Sequence, residues 1–164
     1  MRVLVLSDSH GKNQNMEKAI QKVSPIDMLI HLGDLEGSEG LLESFAPCPV
    51  EMVAGNSDYF SVLPREKILL IGRHNVFITH GHSYEVSYGY ERLREAARQR
   101  GCSCALFGHT HRPAIEEDEN ILLMNPGSIS QPRQDNGRPS YLILDVDRHG
   151  DIHPLIEYLD RWDR

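Results

Sequence analysis

The stretch Val3-Leu4-Val5-Leu6-Ser7-Asp8-Ser9-His10 is a short apolar run that stops at side chains able to bind a metal. The pattern recurs four times. Met28-Leu29-Ile30-His31-Leu32 runs into Gly33-Asp34, and Met52-Val53-Ala54 into Gly55-Asn56. Val76-Phe77-Ile78-Thr79 runs into His80, and Ala105-Leu106-Phe107 into Gly108-His109-Thr110-His111. Apolar runs of this length bounded by glycine and polar residues read as buried strands. Ligands of open α/β sheets collect beyond the carboxyl ends of strands. Five such ends predict one cluster built from Asp8, His10, Asp34, Asn56, His80, His109 and His111. Seven donors exceed the needs of one ion and suit two ions sharing a carboxylate.

Between these runs the spacing predicts alternating elements. A strand at 2–6 is followed by a helix at 13–23, where Met16, Ala19, Ile20 and Val23 recur at helical spacing behind Asn13 as N-cap. A strand at 27–32 leads to a short helix that Ser38 caps and Pro47 and Pro49 stop, then a strand at 50–54. Such a β-α-β-α-β order signals a parallel sheet with helical crossovers. Strands at 66–71 and 74–79 are joined through Gly72-Arg73. A helix at 88–100 carries Tyr90, Leu93, Ala96 and Ala97 on one side and ends at Gly101. Strand-like runs follow at 104–107, 112–116, 121–125, 140–146 and 151–158. The expected architecture is an α/β domain spanning residues 1–164, with two facing mixed sheets and helices outside.

Composition narrows the function classes. With 17 Lys and Arg against 24 Asp and Glu, the formal net charge is −7, which argues against an extended basic face for nucleic acid. Apolar stretches are too short for a transmembrane helix. The amino-terminal run does not read as a secretory leader, and losing it would remove Asp8 and His10. Three cysteines at irregular spacing imply no disulfide framework. A cytoplasmic protein with free thiols is expected.

Carboxylate, amide and imidazole donors without thiolate suit manganese, iron or zinc better than copper(I). Magnesium prefers oxygen-only sites. Two ions roughly 3.5–4 Å apart, sharing Asp34 and a bridging water, would supply hydroxide at neutral pH and neutralise two phosphate oxygens. That chemistry suits in-line attack on a phosphate ester.

Asp8-x-His10, Gly33-Asp34, Gly55-Asn56, His80-Gly81-His82 and Gly108-His109-Thr110-His111 together resemble the calcineurin-like metallophosphoesterase signature. The compact length and Asn125-Pro126-Gly127-Ser128 narrow the resemblance to the YfcE-like phosphodiesterases. It implies a four-layer α/β/β/α sandwich and a dinuclear centre, usually activated by manganese, with iron, zinc or nickel as alternatives. By motif, one ion takes Asp8, His10, Asp34 and His111, and the other takes Asp34, Asn56, His80 and His109. Asp34, Asn56 and His80 are the expected catalytic set. Many superfamily members carry histidine after Gly-Asn to protonate the leaving group. Here Ser57 stands there, which favours diesters with good leaving groups over monoesters. Asp58 is a candidate to orient a neighbouring ligand and His82 to relay a proton. The expected partner is a small phosphodiester, and a homo-oligomer is left open. Two rival readings are a non-catalytic protein-binding scaffold, as in a retromer subunit of this fold, and a phosphomonoesterase or nuclease on the same centre. Outside the signature, His31 reads as a core histidine, His74 as a solvated one, and Asn125 and Ser128 as parts of a tight turn.

Overall fold

The structure, a computed structural model, describes residues 1–160. The first sheet contains β1 (Arg2–Leu6), β2 (Met28–His31), β3 (Val50–Met52), β9 (Ser140–Val146) and β10 (Ile152–Tyr158), in the order β10-β9-β1-β2-β3. The second contains β4 (Glu66–Ile71), β5 (His74–Thr79), β6 (Cys104–Leu106), β7 (Pro113–Asp118) and β8 (Ile121–Pro126), in the order β4-β5-β6-β8-β7. Both are mixed. β1 runs parallel to β2, and β2 to β3, while β9 returns antiparallel on the other side of β1. β5, β6 and β8 form a parallel centre with antiparallel β4 and β7 at the edges. Helices α1 (Gln14–Val23), α2 (Glu39–Phe45) and α3 (Glu91–Gln99) complete the fold.

Strand alternation assigns each side chain to a layer. Val3 and Val5 of β1 face the second sheet, packing with Val76 and Ile78 of β5 and Leu106 of β6. Leu4 and Leu6 face the other way, onto Met16, Ala19 and Ile20 of α1. In β5 the reverse face carries Phe77 onto Leu93, Ala96 and Ala97 of α3. Three apolar seams therefore hold four layers in the order α/β/β/α. Both faces of β1 and β5 are buried, which is why their sequences are continuous apolar runs. Each fully buried valine or leucine in these seams contributes about 1.5–3 kcal/mol.

The elements differ from expectation mostly at their ends. α3 starts at Glu91, three residues later than the apolar spacing implies, because Gly89 has φ +151° and cannot be helical. Its end is a glycine stop as read. Gly101 is left-handed at φ +68°, and the Cys102 N–H donates to the Ala97 carbonyl at 2.9 Å while Gly101 N–H donates to Arg98 at 3.0 Å. Asn13 and Ser38 stand at the N-cap positions of α1 and α2, but neither side chain makes a capping bond. β3 is shorter than the apolar run at 50–54 because Ala54 N–H leaves the ladder and donates to the Pro64 carbonyl at 2.9 Å. Among the described residues no helix is long and apolar enough to cross a membrane.

Candidate dinuclear metal centre

The turns that follow β1, β2 and β3 carry Asp8, Asp34 and Asn56. Those that follow β5 and β6 of the other sheet carry His80 and then His109 and His111. The cluster therefore straddles the seam between the sheets. Strand geometry does not continue past β1. Asp8 and His10 have φ of 56° and 48°, and Asp34, His109 and His111 are also left-handed. Five of the nine non-glycine residues with positive φ among the described residues are thus predicted ligands. Such backbone costs about 1–3 kcal/mol per residue and persists only where its surroundings over-determine it.

Those surroundings are visible. Asp8 N–H donates to the Gly33 carbonyl at 3.0 Å, and His10 N–H to that of Asp34 at 2.9 Å, lacing the first two turns together. The Ser128 and Ser130 hydroxyls donate to the Asp8 carbonyl at 2.8 and 3.0 Å. The Asn125 amide donates to the Gly108 carbonyl and the Thr110 hydroxyl, each at 3.0 Å. Asn125 and Ser128 are fully buried and hold ligand-bearing turns, so they do more than form the tight turn read at Pro126-Gly127. The Asp58 carboxylate accepts the N–H groups of Asp34 and Glu36 at 2.7 Å and of Gly55 at 2.8 Å. It acts on the backbone of two turns and so orients Asp34. Gly55 has no room for more than hydrogen, since a Cβ there would lie 2.2 Å from Asp34 Oδ1.

Five of the seven predicted ligands converge tightly. Asp8 Oδ1 lies 3.2 Å from His111 Nε2, 3.7 Å from His80 Nε2 and 3.9 Å from His10 Nε2. Asp34 Oδ2 lies 3.3 Å from His80 Nε2 and 3.6 Å from His10 Nε2. The donor atoms fall into two overlapping groups, Asp8-His10-His111 and Asp8-Asp34-His80. Asn56 and His109 stand beside them as a pair, with His109 Nδ1 3.1 Å from Asn56 Oδ1 and its ring 5.2 Å from that of His80. These two engage each other and stay outside the two tight groups. His82 is adjacent, its ring 5.4 Å from His80 and its Nε2 3.3 Å from an Arg65 guanidinium nitrogen.

Hydrogen bonds at the far side of each ring point the donors inward. Nδ1 of His80 donates to the Leu32 carbonyl and that of His111 to the Gln131 carbonyl, both at 2.7 Å. Nδ1 of His10 meets the Glu36 carboxylate at 2.7 Å. Bonds of this kind orient metal-ligating imidazoles and raise their basicity. In consequence the Nε2 atoms of His10 and His111 face each other at 3.1 Å. Asp8 Oδ1 and His80 Nε2 are buried without any hydrogen-bond partner. Polar atoms left this way so deep are rare. Divalent cations would satisfy both atoms, and the oxygen and imidazole set fits such ions.

Charge follows from the same geometry. Burial raises the Asp34 pKa, but the close approach and charge of His80, with the Ser57 N–H, outweigh it and hold the carboxylate far below its usual range. Asp8 is likewise raised by burial but driven down overall by His111 and His80. Burial lowers His80, yet Asp34 and Asp8 more than reverse it, so its pKa is raised. His82 and His109 are lowered by burial and by the nearby His80 charge. His31 is the core histidine read from sequence. It is fully buried, its Nδ1 accepts the Gly33 N–H at 3.2 Å, its Nε2 bonds Ser9 Oγ at 3.0 Å, and burial pushes its pKa down to about 4. His74 departs from its solvated reading. It is half-buried, with Nδ1 2.9 Å from the Ser103 hydroxyl. Glu36 was missed altogether. Its sole sequence signal is its place two residues after Asp34.

The family model described as calcineurin-like phosphoesterase superfamily domain matches residues 1–149. The chain belongs to this superfamily. As a calcineurin-like phosphoesterase it is 32% identical over 150 residues to the probable metallophosphoesterase YsnB of Bacillus subtilis, covering 90% of this chain and 85% of that one. It is 31% identical to the phosphodiesterase YfcE of Escherichia coli K12, covering 90% of this chain and 89% of the relative. In shape it is similar to a predicted phosphoesterase from Streptococcus pneumoniae, with TM-score 0.78, 26% identity, and coverage of 96% and 97%. It also shares its fold with Vps29 of Entamoeba histolytica, solved as a zinc complex, with TM-score 0.76, 24% identity, and coverage of 96% and 99%. The two mixed sheets and flanking helices are thus the metallophosphoesterase fold, as the resemblance implied.

Proposed function

We propose that the protein is a phosphodiesterase acting on small diesters through two divalent ions, manganese foremost. The observation that carries this reading is the convergence of three imidazole Nε2 atoms on two buried carboxylates, with Asp8 Oδ1 and His80 Nε2 left unpaired. When bound, two such ions supply an acidified water and positive charge for the phosphate oxygens. Asp8, His10 and His111 would hold one ion. Asp34 and His80 would hold the other, with Asn56 and His109 turning from each other to complete it. Asp8 is common to both tight donor groups, and Asp34, within reach of both His10 and His80, would be the carboxylate that the two ions share. Asn56, at the exposed rim, and His80, at the buried floor, would help position the phosphate through the second ion.

Ser57 defines the preference. Its N–H is committed to Asp34 Oδ1 at 2.9 Å, and its side chain is no proton donor of useful acidity. Alcohols that depart as stable anions need no such donor, so aryl and other activated diesters are the favoured class. The likeness to Vps29, one of fold and to a protein itself solved with zinc, keeps a protein-binding scaffold as the alternative that the activity test decides. An efficient monoesterase would require the missing acid, and a net charge of −7 disfavours extended nucleic acid. A cytoplasmic setting suits the three free cysteines.

The test is hydrolysis of bis(p-nitrophenyl) phosphate by the manganese-loaded protein. Turnover should fall to background in Asp34→Asn. Wild-type turnover no higher than that of the variant, with manganese bound, refutes the reading.

A further inference from the structure

Immediately after Asn56-Ser57-Asp58 the chain places three large apolar side chains in solvent within four residues. Tyr59 is 83% exposed, Phe60 99% and Val62 100%. The segment is held in place. Asp58 N–H donates to the Gly55 carbonyl at 3.2 Å, Ser61 N–H to that of Asp58 at 3.3 Å, and Leu63 N–H to the Ser61 hydroxyl at 3.2 Å. Leu63 then packs against the core beneath the first sheet. A fixed loop that keeps aromatic rings in water forgoes their burial energy, and contiguous exposed apolar surface marks an interaction site.

Tyr59 and Phe60 line a cavity of about 590 Å³ together with Glu36, Glu39, Ser57 and Asp58. That volume lies within the range of about 300–1,000 Å³ typical of small-molecule sites. The cavity adjoins the metal centre through residues of its lining. Glu36 is the partner of His10, the Ser57 N–H bonds Asp34, and Asp58 ties the two turns together. Two aromatic faces suit stacking on a flat ring. Glu36, Glu39 and Asp58 put negative charge on the same wall, which excludes a second anionic group.

We propose that this cavity binds one ester arm of the diester, and that the arm is an uncharged aromatic group of nucleobase size. The proposal rests on the phosphodiesterase reading above and narrows its substrate class. The phosphate sits at the metal donors while the arm extends over Ser57 toward Tyr59 and Phe60.

The experiment compares two diesters with the same leaving group, thymidine p-nitrophenyl phosphate and methyl p-nitrophenyl phosphate, on the manganese-loaded full chain. Wild type should prefer the thymidine ester by about tenfold in kcat/KM, the factor that one stacked ring supplies. The preference should fall to near one in a Tyr59→Ser, Phe60→Ser double variant. It should persist in Tyr88→Ser, a control at another exposed tyrosine outside the cavity. A preference unchanged by the double substitution overturns the proposal. So does sedimentation showing a wild-type dimer that the double variant disperses while the preference stands, since the loop then covers a second copy. If the wild type hydrolyses neither ester, the phosphodiesterase reading fails. The cavity is then judged by saturation-transfer NMR with thymidine. Transfer to the base protons that the double variant loses supports the cavity, and no transfer to the wild type refutes it.

Discussion

Loading the centre with metal should expel the proton from His80, and the cost of doing so can be worked out. In the ion-free protein His80 Nδ1 donates to the Leu32 carbonyl at 2.7 Å, so a second ring proton must sit on Nε2. There it faces Asp34 Oδ2 at 3.3 Å and Asp8 Oδ1 at 3.7 Å, and these carboxylates overcome burial to raise the pKa above its ordinary 6.5. A raised pKa means that the imidazolium stabilises the ion-free fold at pH below 6.5, and that this contribution is lost as pH rises through the folded value. For the metal the sign is opposite. Below that value Nε2 is occupied, and each pH unit of acidification costs about 1.4 kcal/mol, or tenfold in affinity, per proton displaced. Manganese affinity should therefore fall at least tenfold between pH 6.5 and 5.5. Titration calorimetry in two buffers of different ionisation enthalpy counts the released protons. At least one is expected from wild type at pH 6, and one fewer from His80→Gln. A proton count of zero for the wild type, or an affinity flat across this interval, refutes the assignment of Nε2 as a protonated metal donor.

Two further outcomes concern stability. Asp58→Ala removes the acceptor of three backbone N–H groups, from Asp34, Glu36 and Gly55. It should cost about 2–4 kcal/mol in urea unfolding, with Asp58→Asn losing less. His31, held down to about 4, stays neutral in the fold while the unfolded chain takes up a proton below 6.5. Its contribution is complete above pH 6.5 and is lost as pH falls toward 4, about 3 kcal/mol in all. The difference in unfolding free energy between wild type and His31→Gln should shrink by about that amount over this interval.

The layers were legible because burial leaves a period in the chain. β1 has no alternation of polar and apolar residues, and the structure gives the reason: Val3 and Val5 fill the seam between the sheets while Leu4 and Leu6 fill the seam under α1. The apolar face of α1 was readable at Met16, Ala19, Ile20 and Val23 for the same reason. Positions of the candidate donors were legible too, since each follows a strand end. Their backbone was not. The left-handed turns at Asp8 and His10 are imposed by Ser128 and Ser130, about 120 residues away, and nothing local announces them. Glu36 escaped for the same reason, being defined by its partner His10 on another turn, whereas Asp58 was readable as an orienting residue but not as the acceptor of three backbone N–H groups. Exposure of Tyr59 and Phe60 is likewise a fact of packing. An aromatic pair after a turn looks like core in sequence.

The centre draws Asp8, His10 and Asp34 from one sheet and His80 and His111 from the other. Asp8 with His111 and Asp34 with His80 are both contacts across the seam. The ions would consequently act as rivets joining two half-molecules that otherwise meet here through side-chain packing and a few hydrogen bonds, such as His80 to Leu32 and Ser128 to Asp8. Any slip of one sheet along the other would change both coordination sets at once. Chelation should then loosen the fold along a single line, and hydrogen exchange should quicken first at the facing ends of β1 and β6. Catalytic competence and mechanical cohesion would in this way depend on the same few atoms.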